Sequence, residues 1–154
     1  MKLKNTFLFL LLTLLISCNS KNVFTETKEG FTANQWQKKE AQNFSFTINE
    51  DNKNYDFTIT ISHVYNYQFE SVPIEVVITN PKGETEMLFF DLLIKDAKGN
   101  DKGDCLGDLC DLRQTFKKNI KLSKGNYTVH IAHRFNHVYL PNITSLGLEV
   151  DKTE

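Results

Sequence analysis

Residues 43–62 read NFSFTINEDNKNYDFTITIS. Phe44, Phe46 and Ile48 alternate with Ser45 and Thr47, and Phe57, Ile59 and Ile61 alternate with Thr58, Thr60 and Ser62. Successive side chains of a strand point to opposite faces, so a period of two predicts two half-buried strands. Their β-branched and aromatic content suits a pleated surface.

The same signal continues outward. Residues 74–79 form a more continuous apolar run, fit for a central strand, and Asn80-Pro81-Lys82-Gly83 ends it as a turn. Residues 87–95 are apolar again, until Asp96-Ala97-Lys98-Gly99-Asn100. Phe116, Ile120 and Leu122 lie in a strand whose other positions are basic or polar, and Lys124-Gly125-Asn126 turns the chain. Tyr127, Val129 and Ile131 alternate with Thr128, His130 and Ala132, and Leu146, Leu148 and Val150 close the pattern. About seven strands with turns between them, and no long segment of period 3.6, predict an all-β protein. The expected architecture is an antiparallel, Ig-like β-sandwich, a single domain over residues 43–154. An open barrel would carry the same signals. The one long connection, residues 96–111, is of a length that is usually functional or mobile.

Before this domain the composition changes twice. Lys2 and Lys4 precede an apolar run from Phe7 to Ile16, and Leu15-Ile16-Ser17-Cys18 follows the cleavage pattern of bacterial lipoprotein signals. Ten apolar residues at about 1.5 Å each cover roughly half of a ~30 Å hydrocarbon core, so the run suits an export signal and is too short to span. The expectation is a signal peptide over residues 1–17, removed to leave Cys18 as the lipid-bearing anchor. Residues 18–42 read as a polar tether and lead-in with scattered Val23, Phe24, Phe31 and Trp36, and with weak helical character near residues 33–41. Asn19-Ser20-Lys21 has no acidic pair after the cysteine, which favours an anchor facing the periplasm.

Removing 17 of 154 residues takes two of 18 basic residues and none of 19 acidic ones, so the mature chain carries 16 − 19 = −3. That mild balance argues against a nucleic-acid partner and against binding a membrane surface by charge. A domain of this size buries enough core to fold without a metal or a disulfide framework.

Chemistry-bearing residues are few. Cys105 and Cys110 remain as a pair in an exported chain, where a structural disulfide is the expected state. A redox pair normally spaces its thiols by two residues and places one at a helix start, and these enclose four. Zinc would need two further ligands nearby. Asp96, Asp101, Asp104, Asp108 and Asp111 share one segment, yet Lys98 and Asp101 stand where a calcium loop wants a ligand and a glycine, so no metal site is expected. His130 and His133 fall on opposite faces of the predicted strand, and with His137 they read as ordinary surface or strand-end histidines. The sequence has no nucleophile elbow, zinc-protease pattern, phosphate loop or dinucleotide fingerprint, so neither a catalytic residue nor a cofactor is expected. Tyr65, Tyr67, Phe69 and Tyr139 could form an aromatic platform for a glycan, with core or edge packing as the plainer reading.

The ordered features of the chain resemble the gliding-motility lipoprotein family called GldH. Cys18 is followed shortly by Val23-Phe24, and Trp36 precedes Phe44-Ser45-Phe46. Asn66-Tyr67-Gln68-Phe69 then resembles the family's Asn/Tyr-rich segment, and residues 96–100 with Leu106-Gly107-Asp108-Leu109 resemble its acidic, Gly-rich loop. Gly125-Asn126-Tyr127 and Leu146-Gly147-Leu148-Glu149-Val150 complete the match. The resemblance covers most of the mature chain. It implies a non-enzymatic accessory part of the gliding machinery, linked to type IX secretion. Its partners would be other envelope proteins, and its membrane attachment, through lipidated Cys18, would be at the outer membrane. The cysteine pair is not part of what the resemblance implies.

Overall fold

The computed structural model describes residues 21–153, so the proposed signal and Cys18 lie outside the described residues. The elements in chain order are β1 (Asn22–Glu29), a short 3-10 turn at Thr32–Asn34, β2 (Gln35–Gln37), β3 (Gln42–Ile48), β4 (Lys53–Val64), β5 (Ser71–Thr79), β6 (Thr85–Leu93), β7 (Asp104–Leu106), β8 (Leu109–Leu122), β9 (Gly125–His133), β10 (Tyr139–Pro141) and β11 (Ile143–Lys152). One sheet has the order β1-β11-β4-β8-β7 and the other β3-β9-β5-β6, with a small β10-β2 ribbon beside them. Without the short β2, β7 and β10, eight long strands stand four and four, β1-β11-β4-β8 and β3-β9-β5-β6. That is the strand order of a jelly roll, a double-sheet sandwich, and it has one long strand more than the turn spacing suggests.

The alternating positions fill the space between the sheets. Phe44, Phe46 and Ile48 of β3 meet Phe57, Ile59 and Ile61 of β4, Ile74 and Val76 of β5, Val129 and Ile131 of β9, and Leu146, Leu148 and Val150 of β11, all buried. Full burial of each such side chain contributes roughly 1.5–3 kcal/mol of transfer free energy. Gly147 in β11 is required by close packing: a Cβ there would lie 2.3 Å from Thr60 Oγ1 and 3.0 Å from Thr27 Oγ1.

Residues 22–42 are part of the fold, which corrects their reading as a tether and lead-in. β1 pairs with β11 from Asn22↔Asp151 to Glu29↔Ser145. Its alternation is hidden because the less exposed positions are Phe24, Glu26 and Lys28, and only the first is apolar. Phe24 packs on Phe46 at 5.2 Å between ring centroids, while Lys28 pairs with Glu26 and lies over the Phe44 ring. The helical character expected near residues 33–41 is replaced by β2 and a turn. Trp36 there is fully buried, donates its Nε1–H to the Glu40 carbonyl at 2.8 Å, and packs on Phe31 and His133.

The registers define two ends. At the near end β1 starts beside the end of β11, which lies beside the start of β4 (Lys152↔Tyr55) and, next, the end of β8 (Lys53↔Leu122). The end of β3 meets the start of β9 (Ile48↔Gly125), and β5 turns into β6 (Thr79↔Thr85) at the same end. Only short turns close it, at residues 49–52, 80–84 and 123–124. The far end carries the longer connections, residues 65–70, 94–103 and 134–138, together with the β2–β10 ribbon.

Candidate functional site

At the far end, Cys105 and Cys110 are joined, with an S–S distance of 1.98 Å. They face each other in register across β7 and β8, and Leu106↔Leu109 is the last pair before Gly107-Asp108. Gly107 takes a φ of +62°, which suits a glycine in so tight a turn. The long connection expected over residues 96–111 is therefore partly a cross-linked hairpin. Asp101 lies close to both sulfurs, but sulfurs bonded to each other are not thiolate ligands, so this group is a poor metal site.

The acidic residues of this segment organise the chain. Asp96 Oδ1 accepts hydrogen bonds from the backbone N–H groups of Lys98 (2.8 Å) and Asn100 (2.9 Å), and Oδ2 accepts from the Asn100 amide. These bonds, Asn100's first, hold the Asp96 carboxyl below the usual carboxylate range. Asp101 accepts from the Asn66 N–H and tethers the neighbouring connection. The Asp96 oxygens are thus engaged with their own loop, whereas Asp101 Oδ1 is buried without a hydrogen-bond partner.

The histidines divide as the strand reading expects, His130 exposed and His133 inward. His133 is not a surface residue, however. It is buried edge-on to Trp36, its Nε2 lies 3.0 Å from the Trp36 carbonyl, and its Nδ1 has no partner. Burial pushes its pKa down, the Trp36 carbonyl opposes that shift, and Lys38 adds to it. His63, which sequence reasoning did not single out, is fully buried against Tyr67 with its Nε2 unpartnered. On the other face of β4, Ser62 bonds both Ser145 and Asp111, but His63 points away from that chain.

The four aromatic residues weighed as a glycan platform do not form one. Tyr67 is buried, donates its hydroxyl to the Pro141 carbonyl at 2.8 Å, and burial pushes its phenol far up. Phe69 stands edge-on to Tyr67 and packs on Phe135, which touches His137. Phe69, Phe135, His137, Val138, Tyr139 and Pro141 line a shallow cleft of about 260 Å³. Tyr65 alone is well exposed. Its backbone N–H bonds the Asp108 carbonyl at 2.9 Å, which sets it against the hairpin tip.

The far end presents large apolar side chains among polar and charged ones. Leu106 is 90% exposed, Val138 73% and Tyr65 58%, and Leu109 and Leu93 are also exposed there. Apart from these, Met87 and Phe89 are exposed on β6 and Val23 on β1. β6 is an edge strand, and Gln114 partly covers its open side, accepting from Leu93 N–H and donating to the Asp91 carbonyl.

A family profile described as GldH lipoprotein matches residues 22–150. The chain belongs to the GldH lipoprotein family. A curated relative, the gliding motility lipoprotein GldH of Flavobacterium johnsoniae, is 26% identical over the full length of both chains. Similarity to solved structures is remote. A family 35 carbohydrate-binding module from Clostridium thermocellum aligns at TM-score 0.38 with 8% identity, over 81% of this chain and 89% of that one. The serine protease–chaperone complex of Aeromonas sobria aligns at 0.38 with 10% identity, over 97% of this chain and 30% of that one. Such scores carry no functional weight. The GldH profile begins at the first residue of β1 and ends within β11, so the family match includes the edge strand that sequence alternation hides. Among the described residues, no helix is long and apolar enough to cross a membrane.

Proposed function

We propose that this GldH family member is a lipid-anchored, non-enzymatic accessory part of the gliding machinery, acting by contact with other envelope proteins. The observation that carries the reading is the family match over residues 22–150, with a relative named for gliding motility that aligns end to end. The anchor is Cys18, at the outer membrane and facing the periplasm, and the partners belong to the gliding and type IX secretion apparatus. The surface best suited to a protein partner is the far end. Leu106 and Leu109 stand on the cross-linked hairpin there, Tyr65 is bonded to its tip and Val138 lies on the 134–138 connection of the same end, and exposed apolar groups on a polar surface are a common mark of association. Glycan binding, the alternative, loses its aromatic row because Tyr67 is in the core.

The test is deletion of the gene in a gliding host. Cell movement and colony spreading should be lost, return with the wild-type chain, and fail to return with Cys18→Ala, because tethering raises the local concentration of a weakly binding domain. Normal movement in the deletion strain would remove the assignment.

A further inference from the structure

The spacing of Cys105 and Cys110 does not fit a helix-start redox motif, but the surroundings of their bridge are not those of an inert cross-link. The two sulfurs are unequally placed: Cys105 is exposed, whereas Cys110 is fully buried. Acceptors without donors stand around them. A carboxylate oxygen of Asp101 lies within 4.8 Å of both sulfurs. Asp101 Oδ2 accepts the Asn66 N–H at 3.2 Å, and Oδ1 is buried without a partner. The Gly103 carbonyl lies 3.7 Å from Cys105 Sγ. His63 stands opposite Cys110 in the β4–β8 register and is also fully buried. Its Nδ1 lies 3.0 Å from the Val64 carbonyl, so in the neutral ring Nδ1 carries the hydrogen and the unpartnered Nε2 is an acceptor. A buried acceptor left unsatisfied costs free energy, the more so when it is charged. Sulfurs bonded to each other have no hydrogen to give these groups, whereas two thiols have one each.

We propose that Cys105–Cys110 is a thiol–disulfide exchange site for a dithiol, in which Cys105 takes the incoming sulfur and Asp101 holds the proton of the resolving Cys110. A thiolate of the dithiol attacks the exposed Cys105 Sγ, and the S–S bond breaks with its electron pair on Cys110. Cys110 takes a proton from solvent and gives Asp101 the hydrogen bond it lacks. The second thiolate of the reagent then attacks the reagent's own sulfur in the mixed bond. Cys105 is released, takes a proton in turn, and has the Gly103 carbonyl beside it. Two electrons and two protons pass to the pair, and the reagent leaves as its disulfide. Reduction thus supplies donors where the bridged form has none, which favours the dithiol relative to a purely structural bridge. The bridge closes the hairpin that carries Leu106 and Leu109, so exchange also frees the surface assigned above to a protein partner, but the exchange chemistry stands without that assignment.

The test uses the full mature chain carrying Cys18→Ser, which leaves the pair as its only cysteines. Folded protein is equilibrated with excess reduced glutathione, alkylated, and its thiols counted. The bridge should open to two thiols with the β-sheet circular dichroism retained, whereas a structural disulfide resists glutathione and stays closed. Asp101→Asn, which can still accept the Asn66 N–H, should shift the equilibrium toward the disulfide by at least about tenfold. Its oxidised form should be no less stable in urea than the parent, a result that a merely loop-shaping Asp101 would not give. With one cysteine replaced, the Cys105 thiol of Cys110→Ser should form a mixed disulfide with oxidised glutathione at least about tenfold faster than the Cys110 thiol of Cys105→Ser. A bridge that stays closed in glutathione overturns the proposal, and this measurement needs no substitution within the pair. So does an Asp101→Asn chain whose equilibrium is unshifted or whose oxidised form is destabilised, or equal capture of the two thiols.

Discussion

The two ends of the sandwich are made from the same strands and finished differently. The near end is closed by three short turns, and its exposed side chains are mostly polar, lysines standing beside carboxylates. The far end has the long connections, the β2–β10 ribbon over Trp36, the cross-linked β7–β8 hairpin and most of the exposed large apolar side chains. Strand alternation fixes the core between them and says nothing about either end. The difference teaches that in this GldH fold the strands supply a shared core, while the two sets of connections give its ends unlike surfaces.

The largest effect should come from removing the packing beneath the far end. Trp36 is fully buried, fills the space under the ribbon and hydrogen-bonds the Glu40 carbonyl. Trp36→Ala should cost about 3–5 kcal/mol in urea unfolding, the usual range for a buried aromatic. Lys82→Gln at the near end should change stability by less than about 0.5 kcal/mol. A small effect at Trp36 would mean that the ribbon is peripheral to the fold and that the far end lacks a rigid base.

The disulfide ranks next. Closing so small a ring restricts the unfolded chain by about 2 kcal/mol on the loop-entropy account. Cys105→Ser with Cys110→Ser should lose about that much and still fold, because the core lies elsewhere. Thiol counting on the unfolded, unreduced mature protein should find no free thiol. Two free thiols would contradict the bridge, and failure of the double variant to fold would show that the hairpin supports more than itself.

The smallest of these effects is the response of the far end to acid. Burial holds His133 below the ordinary histidine value of about 6.5, so the unfolded chain takes up the proton first. Its contribution to stability is fully present above that ordinary value and is lost as pH falls through the depressed one. Protonation would also put a second buried N–H at Nδ1, which has no acceptor. The thermal midpoint should therefore fall between pH 7 and pH 5, and His133→Gln should flatten that fall. The exposed His130→Gln should leave it unchanged, and an equal flattening by both would remove the burial argument.

Much of the core was legible in the sequence because period-two alternation is strong wherever one strand face is buried, as in β3, β4, β9 and most of β11. β1 was not, because it sits at a sheet edge and its inward side chains after Phe24 are a Glu–Lys pair. β2 and β10 are three residues each, too short for any period to register. The jelly-roll order was out of reach because pairing such as Asn22↔Asp151 joins distant segments that no local pattern links. At the far end, spacing and export made the cysteine pair readable. Tyr67 is in the core, as its plainer reading had it, and His133 does end its strand, but its burial was not legible because it comes from the distant Trp36.

The central claim is that this lipoprotein works by contact through its far end while anchored at the other. Its most direct test is cell movement in a gliding host whose gene is replaced by Leu106→Asp with Val138→Asp, after the variant is shown to be folded, lipidated and present at the parental level. Both positions are exposed, so the fold should be kept, and the account predicts loss of movement comparable to deletion, with normal movement for the similarly exposed His130→Gln. Normal movement with the far end so charged would contradict it.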